Sequence, residues 1–185
     1  MKRVVILLAD GFEEAEALVP ADLLIRAGAD VRLTALERNP HVTGSHGFRI
    51  LPDGYADDVR MDDPDLCCLF LPGGKGGTER LAGSERVAGM LRSAVNRGLL
   101  IAAICAAPSV LGKLGLLDGR RYTCYPGFER FIPLGTRVDE SVVRDGPFLT
   151  GEGMGASLEF GFALVRELFG ETAESELREK TRNRA

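Results

Sequence analysis

Three uninterrupted apolar runs, residues 4–9, 66–71 and 99–104, constrain this chain more than any other feature. None alternates apolar with polar residues, so each reads as a strand buried on both faces, the pattern of a parallel sheet. Each run stops at a turn signal: Asp10-Gly11, Pro72-Gly73-Gly74, and Cys105 ahead of Ala106-Ala107-Pro108. Amphipathic stretches lie between them. Residues 13–27 carry Ala17, Leu18, Ala21, Leu24 and Ile25 at helical spacing and end at Gly28. Residues 31–36 read as a second strand, 84–97 as a helix stopping at Gly98, 108–114 as a short helix, and 156–169 as an apolar helix closed by Gly170. Pro40, Gly44, Gly47 and Pro52 predict a hairpin or small flap over 39–54, and 120–150 reads as short strands and turns. The alternation predicts an α/β domain with a mostly parallel central sheet covered on both faces. With no linker or repeat, residues 1–170 read as one domain, and 171–185 as a charged surface helix or tail.

Composition narrows the function classes. The chain has 185 residues, enough for one well-buried domain. A net charge of −4 argues against nucleic-acid binding, which needs a concentrated basic surface. No apolar stretch reaches a membrane span, and the N-terminus enters a strand with no secretory signal, so a cytoplasmic location is expected. Cys67, Cys68, Cys105 and Cys124 match neither a disulfide framework nor paired zinc ligands, and no metal is expected.

In a parallel sheet, sites form outside the carboxyl ends of the strands. If the three apolar strands are neighbours, their terminal turns share one crevice. Cys105 is the leading candidate there. Unpaired N–H groups at the start of the next helix favour thiolate, and a titration below neutral pH is expected. The bland alternative is a core cysteine packed as a small hydrophobe. Packing is the better reading for Cys67 and Cys68, inside a strand, and for Cys124. Glu13 and Glu14 read as solvated groups in the first helical turn. Glu16, among Ala15, Ala17 and Leu18, could turn inward; a buried carboxyl beside a thiolate would have its pKa raised and could donate a hydrogen bond. Pro72-Gly73-Gly74 and Gly76-Gly77 could form an N–H nest for an oxyanion, or merely reverse the chain. His41 and His46 both lie in the flap, so a Cys–His dyad would draw on one of them or on a partner subunit.

Together, residues 9–16 (Ala-Asp-Gly-Phe-Glu-Glu-Ala-Glu), Leu71-Pro72-Gly73-Gly74 and Ala102-Ala103-Ile104-Cys105-Ala106-Ala107-Pro108 closely resemble the ThiJ/PfpI superfamily, in the branch of the parkinsonism-associated deglycase and bacterial YajL. Pro20-Ala21-Asp22, Arg26-Ala27-Gly28 and the glycine-rich residues 149–157 extend the resemblance over about residues 3–170. It implies a flavodoxin-like three-layer sandwich and a homodimer. By position, Cys105 resembles the family's nucleophile on a strained elbow, and Glu16 the acid that donates a hydrogen bond to its sulfur. The N–H groups of Gly74 and Ala106 resemble the oxyanion donors, with Gly73, Tyr125, His46 and Arg26 as pocket candidates.

The chain departs from the pattern at three points. Tyr125 stands where the human-type branch has histidine, His46 where it has arginine, and Ala106 where the protease branch has histidine. The resemblance implies a cofactor-free, cysteine-dependent enzyme acting on small α-oxoaldehydes or early glycation adducts. The alternative is a redox-sensing stress protein or chaperone whose cysteine oxidises to sulfinic acid. An intracellular protease or amidase fits less well, and a binding domain with a vestigial site is the remaining reading.

Overall fold

The computed structural model describes residues 1–183. In chain order the elements are β1 (Arg3–Leu8), α1 (Glu14–Arg26), β2 (Asp30–Ala35), β3 (Val42–Thr43), β4 (Arg49–Ile50), β5 (Gly54–Tyr55), β6 (Leu66–Leu71), α2 (Lys75–Ala82), α3 (Glu85–Asn96), β7 (Leu100–Ile104), α4 (Pro108–Lys113), β8 (Arg121–Tyr122), β9 (Thr136–Arg137), β10 (Val142–Asp145), β11 (Phe148–Gly151), α5 (Ser157–Phe169) and α6 (Glu171–Lys180). Seven strands form one sheet in the order β10-β11-β7-β6-β1-β2-β5. Every pairing in it is parallel except β10 with β11.

Strand alternation divides the core in two. Val4, Ile6, Leu8, Cys68, Phe70, Ala102 and Ile104 face one side, under α1, α5 and α6. Val5, Leu7, Leu69, Leu71, Ile101 and Ala103 face the other, under α2, α3 and α4. Both faces of the central strands are thus dry, as the unbroken apolar runs require. The result is the three-layer α/β sandwich expected from the sequence.

Two elements were not anticipated. Gly76 and Gly77 lie inside α2 rather than in a nest, packed on Gly11 and Phe12. A two-residue strand, β5, extends the sheet beyond β2. The flap over 39–54 is a β3–β4 hairpin, and part of the charged C-terminal segment is α6. Residues 184–185 of that expected tail lie outside the described residues.

The order β7-β6-β1 sets the three turns side by side, at residues 105, 72–74 and 10–13. Phe70 on the central strand β6 has no solvent exposure and tilts against Phe160 of α5, with ring centroids 5.4 Å apart. Phe70→Ala is expected to cost about 3–5 kcal/mol in urea unfolding, with an unchanged denaturant slope, because the cavity opens where the site's strands meet.

Candidate active site

Cys105 begins the turn that leaves β7. Its φ is +63°, a left-handed conformation that costs a non-glycine residue about 1–2 kcal/mol. Two backbone hydrogen bonds hold it there. The Cys105 N–H donates to the Gly151 carbonyl at 2.9 Å, and its carbonyl accepts from the Tyr125 N–H at 2.8 Å. The next N–H, that of Ala106, and the N–H of Gly74 both donate toward the sulfur and favour its charged form. Thus Gly74 and Ala106, expected as oxyanion donors, converge on Cys105.

Glu16 reaches the same point from α1. Its side chain is 1% exposed. One carboxyl oxygen, Oε2, accepts the Gly73 N–H at 2.9 Å, while the buried Oε1 has no formed hydrogen bond. The group it couples to is the Cys105 thiol. Gly73 separates the two: a Cβ there would lie 2.4 Å from Glu16 Oε2 and 2.6 Å from Cys105 Cβ. Gly74 is equally confined, with φ +86° and room for no Cβ beside the Gly11 carbonyl, 2.3 Å away. Glycine is required at both positions for α1 to approach the elbow.

The electrostatics differ from the sequence expectation. Burial raises the Glu16 carboxyl to about 7, against the opposing pull of the Gly73 N–H. Burial, together with a charged Glu16 alongside, pushes the Cys105 thiol up to about 12. A titration of Cys105 below neutral pH is therefore corrected: the two N–H groups do not outweigh desolvation and a neighbouring carboxylate. The two groups titrate as a pair, losing one proton near 7 and the second near 12. Between those values they hold one proton and one negative charge. The proton lost near 7 is the carboxyl's and the thiol keeps its own, while the Gly74 and Ala106 N–H groups offset part of what burial costs a thiolate, so above about 7 Glu16 stands as a base beside the Cys105 thiol.

Other candidates fall elsewhere. Arg26, in the last turn of α1, pairs with Asp22 at 2.6 Å with both side chains more than half exposed. Ten residues separate it from Glu16 on the helix, about 15 Å along its axis. Tyr125 is half exposed beside the elbow. Cys68 and Cys124 are fully buried, and the Cys67 thiol donates to the Arg3 carbonyl at 3.2 Å.

His46 bonds to the start of α1. Its ring Nδ1 lies 2.9 Å from Glu14 Oε2 and its N–H donates to Glu14 Oε1 at 2.8 Å. The Ser45 hydroxyl donates to Glu13 and to Glu14. Glu14 is therefore buried and fastens the flap, which corrects its reading as a solvated cap. Its partners lie 31 and 32 residues away, so its own sequence context gave no signal. Hydrogen bonds from His46 and Ser45 outweigh its burial and lower it to about 2, and Glu14 with Glu13 raises His46. Glu13, Glu14 and His46 bring ligand-type atoms within 4.8 Å of one another, but these atoms already bond each other and Ser45.

A model of the DJ-1/PfpI family matches residues 2–167. The chain belongs to the DJ-1/PfpI family. Protein dj-1beta of Drosophila melanogaster is 38% identical over 178 residues, covering 95% of this chain and 94% of its own length. The crystal structure of Drosophila DJ-1beta superimposes with a TM-score of 0.94 at 36% identity, over 100% of this chain and 99% of that one. A protein named deglycase from Pyrococcus abyssi is 35% identical over 150 residues, 80% of this chain and 88% of its own. The structure titled Toxoplasma gondii DJ-1, oxidized, matches with a TM-score of 0.89 at 30% identity, over 98% of both chains. Among the described residues, no helix is long and apolar enough to cross a membrane.

Two pH dependences follow from this member of the DJ-1/PfpI family. Glu16 holds its proton more tightly folded than unfolded, so stability falls as pH rises from 4.5 and levels off above about 7. The raised value corresponds to roughly 3 kcal/mol across that window. Glu16→Gln should remove the slope, so urea unfolding at pH 5 and pH 8 should show the native chain losing stability relative to the variant. The flap clamp behaves differently. Glu14's contribution is complete above its ordinary 4.5 and is lost as pH falls toward about 2. His46's is complete below its ordinary 6.5 and is lost as pH rises through its raised folded value. Protection of the His46 amide against hydrogen exchange, corrected for intrinsic rate, should peak between those limits, and His46→Ala should abolish its alkaline loss.

Proposed function

We propose that this chain is a cofactor-independent enzyme that uses Cys105 to convert small α-oxoaldehydes to 2-hydroxy acids, with early glycation adducts of the same carbonyls as related substrates. The observation that carries the reading is the convergence on one sulfur of the Gly74 and Ala106 N–H groups and the buried Glu16 carboxyl. The deglycase name of the Pyrococcus relative supports it.

The chemistry follows from the shared proton. The Cys105 thiol gives its proton to the Glu16 carboxylate as its sulfur attacks the aldehyde carbon, forming a C–S bond, and the carbonyl electron pair moves onto oxygen. The negative charge passes from Glu16 to an oxygen beside the Gly74 and Ala106 N–H groups, so the site need not reorganise. Glu16 gives its proton to that oxygen, completing a hemithioacetal. As a carboxylate it then takes the hydrogen from the former aldehyde carbon and returns a proton to the neighbouring carbon, while the hydroxyl proton on the first carbon passes to the oxygen of the second. The product is a thioester of the 2-hydroxy acid, formed with no external oxidant because one carbon is oxidised as the other is reduced. Water cleaves the thioester, releasing the acid and restoring the thiol. A carboxyl raised to about 7 suits both donation and abstraction near neutral pH. The route calls on no metal or organic cofactor.

A homodimer is supported by the hollow of about 550 Å³ along α1, lined by Leu18, Val19, Leu23 and Leu158, with Arg26 at its edge. A reducing cytoplasm suits four free cysteines. A second function is favoured by one specific feature. A protonated Glu16 beside the sulfur would also stabilise a Cys105 sulfinate by donating a hydrogen bond, as in a redox sensor, and the oxidized Toxoplasma relative supports this. Peptide hydrolysis fits less well, since Ala106 supplies no base next to the nucleophile.

Lactate formation from methylglyoxal without glutathione tests the enzyme. Cys105→Ala should abolish it, and Glu16→Gln should lower kcat by at least about 100-fold, the usual size of a general acid–base contribution. Lactate formation that survives Cys105→Ala would reject the mechanism. Peroxide that oxidises Cys105 selectively, in a chain with no turnover, would favour the sensor.

A further inference from the structure

Cys105 is partly buried at the end of β7. Neither the cleft of about 340 Å³ over β1 and β2 nor the hollow of about 550 Å³ along α1 includes Cys105 or Glu16. Whatever a substrate carries beyond its carbonyls must therefore rest on the residues around the elbow. The largest of these is Tyr125. Its N–H is fixed to the Cys105 carbonyl at 2.8 Å, so its Cα moves with the nucleophile. Its side chain is 52% exposed, and its hydroxyl makes no hydrogen bond among the described residues. The ring stands over Gly153, whose added Cβ would come to 3.4 Å of Tyr125 Cδ2. Gly153 lies two residues beyond Gly151, the carbonyl that holds the Cys105 N–H. Phe128 braces the ring edge-on at 6.5 Å, and Phe131 tilts against Phe128 at 6.1 Å. The half-exposed Met154 flanks Gly153 in the chain. A braced aromatic with solvent on it, tied to the reacting residue, is a stacking platform.

From this geometry we infer that Tyr125 determines specificity, and that the site prefers α-oxoaldehydes bearing an aromatic group over methylglyoxal. The inference rests on the proposed oxoaldehyde chemistry. A methyl substituent is too small to cover the Tyr125 ring, whereas a phenyl group is large enough to stack on it. The phenol oxygen takes no part, so phenylalanine serves equally.

The test compares kcat/KM for phenylglyoxal and methylglyoxal in the native chain, Tyr125→Phe and Tyr125→Ala. The native ratio should favour phenylglyoxal. Tyr125→Phe should keep it within about twofold, and Tyr125→Ala should lower it by about threefold to tenfold, the range of one aromatic stacking contact. In parallel, Cys105 is alkylated with phenacyl bromide and with bromoacetone, each rate divided by that of a small free thiol. The same ordering of variants is expected there. If neither aldehyde turns over, the proposed enzyme falls, and the alkylation ratio still judges the platform. A normalised alkylation ratio near one in the native chain, or one unmoved by Tyr125→Ala, overturns the inference.

Discussion

The hydrogen bond from the Gly73 N–H to Glu16 Oε2 is the contact on which the site depends. It joins the turn after β6 to the first part of α1, and the Glu13 N–H returns the link by donating to the Gly73 carbonyl at 2.9 Å. The carboxyl is thereby held out of water with one oxygen satisfied and the other free. A buried carboxyl oxygen without a partner is costly as an anion and far less so as O–H facing an acceptor. The side chain it meets there is that of Cys105. The raised pKa of Glu16 is thus a consequence of burial against two glycines too confined to carry side chains, and it persists despite the pull of the Gly73 amide.

The elbow is the second constraint, and it works against the first unless the sheet supports it. A left-handed cysteine is unfavourable by itself. It persists because β11 takes its N–H through Gly151 and the 125 segment donates to its carbonyl, so both of its backbone polar groups are satisfied in the strained form. Relaxing φ would break both bonds at a place with little water to replace them. The strain turns the Ala106 N–H toward the sulfur, opposite the Gly74 N–H from the neighbouring strand end. Parallel neighbours are needed for this, because only then do the ends of β1, β6 and β7 lie on one side of the sheet.

Much of this was legible from residues 4–9, 66–71 and 99–104, since an unbroken apolar run of that length has few uses other than a doubly covered strand. Cys105, Glu16, Gly73 and Gly74 were legible because they sit at the ends of those runs or one turn beyond. Helix α2 was not, as Gly76 and Gly77 count against a helix by propensity; packing of their bare backbone on Gly11 and Phe12 decides the matter. The role of Glu14 was not legible either. Its burial is created by a flap whose bonding residues lie 31 and 32 positions later, closing over it with Gly44, where a Cβ would overlap the Glu14 carboxyl. The acidity of Cys105 was misjudged for a similar reason: amide donors can be inferred from a turn, but desolvation depends on what packs above it.

The two carboxyls of this short segment show what separates a working group from a fastening one. Glu14 and Glu16 are both buried, two residues apart on one helix. Glu14 meets the His46 ring, the His46 N–H and the Ser45 hydroxyl, and stays ionised to about 2. Glu16 meets one amide and a thiol, and holds its proton to about 7. Burial is common to both; the number of donors decides the charge. A site that supplied Glu16 with a second N–H would stabilise the carboxylate, remove the proton from the sulfur's neighbourhood and leave Cys105 beside a fixed negative charge. The missing donor at Oε1 is therefore what keeps the proton at the sulfur.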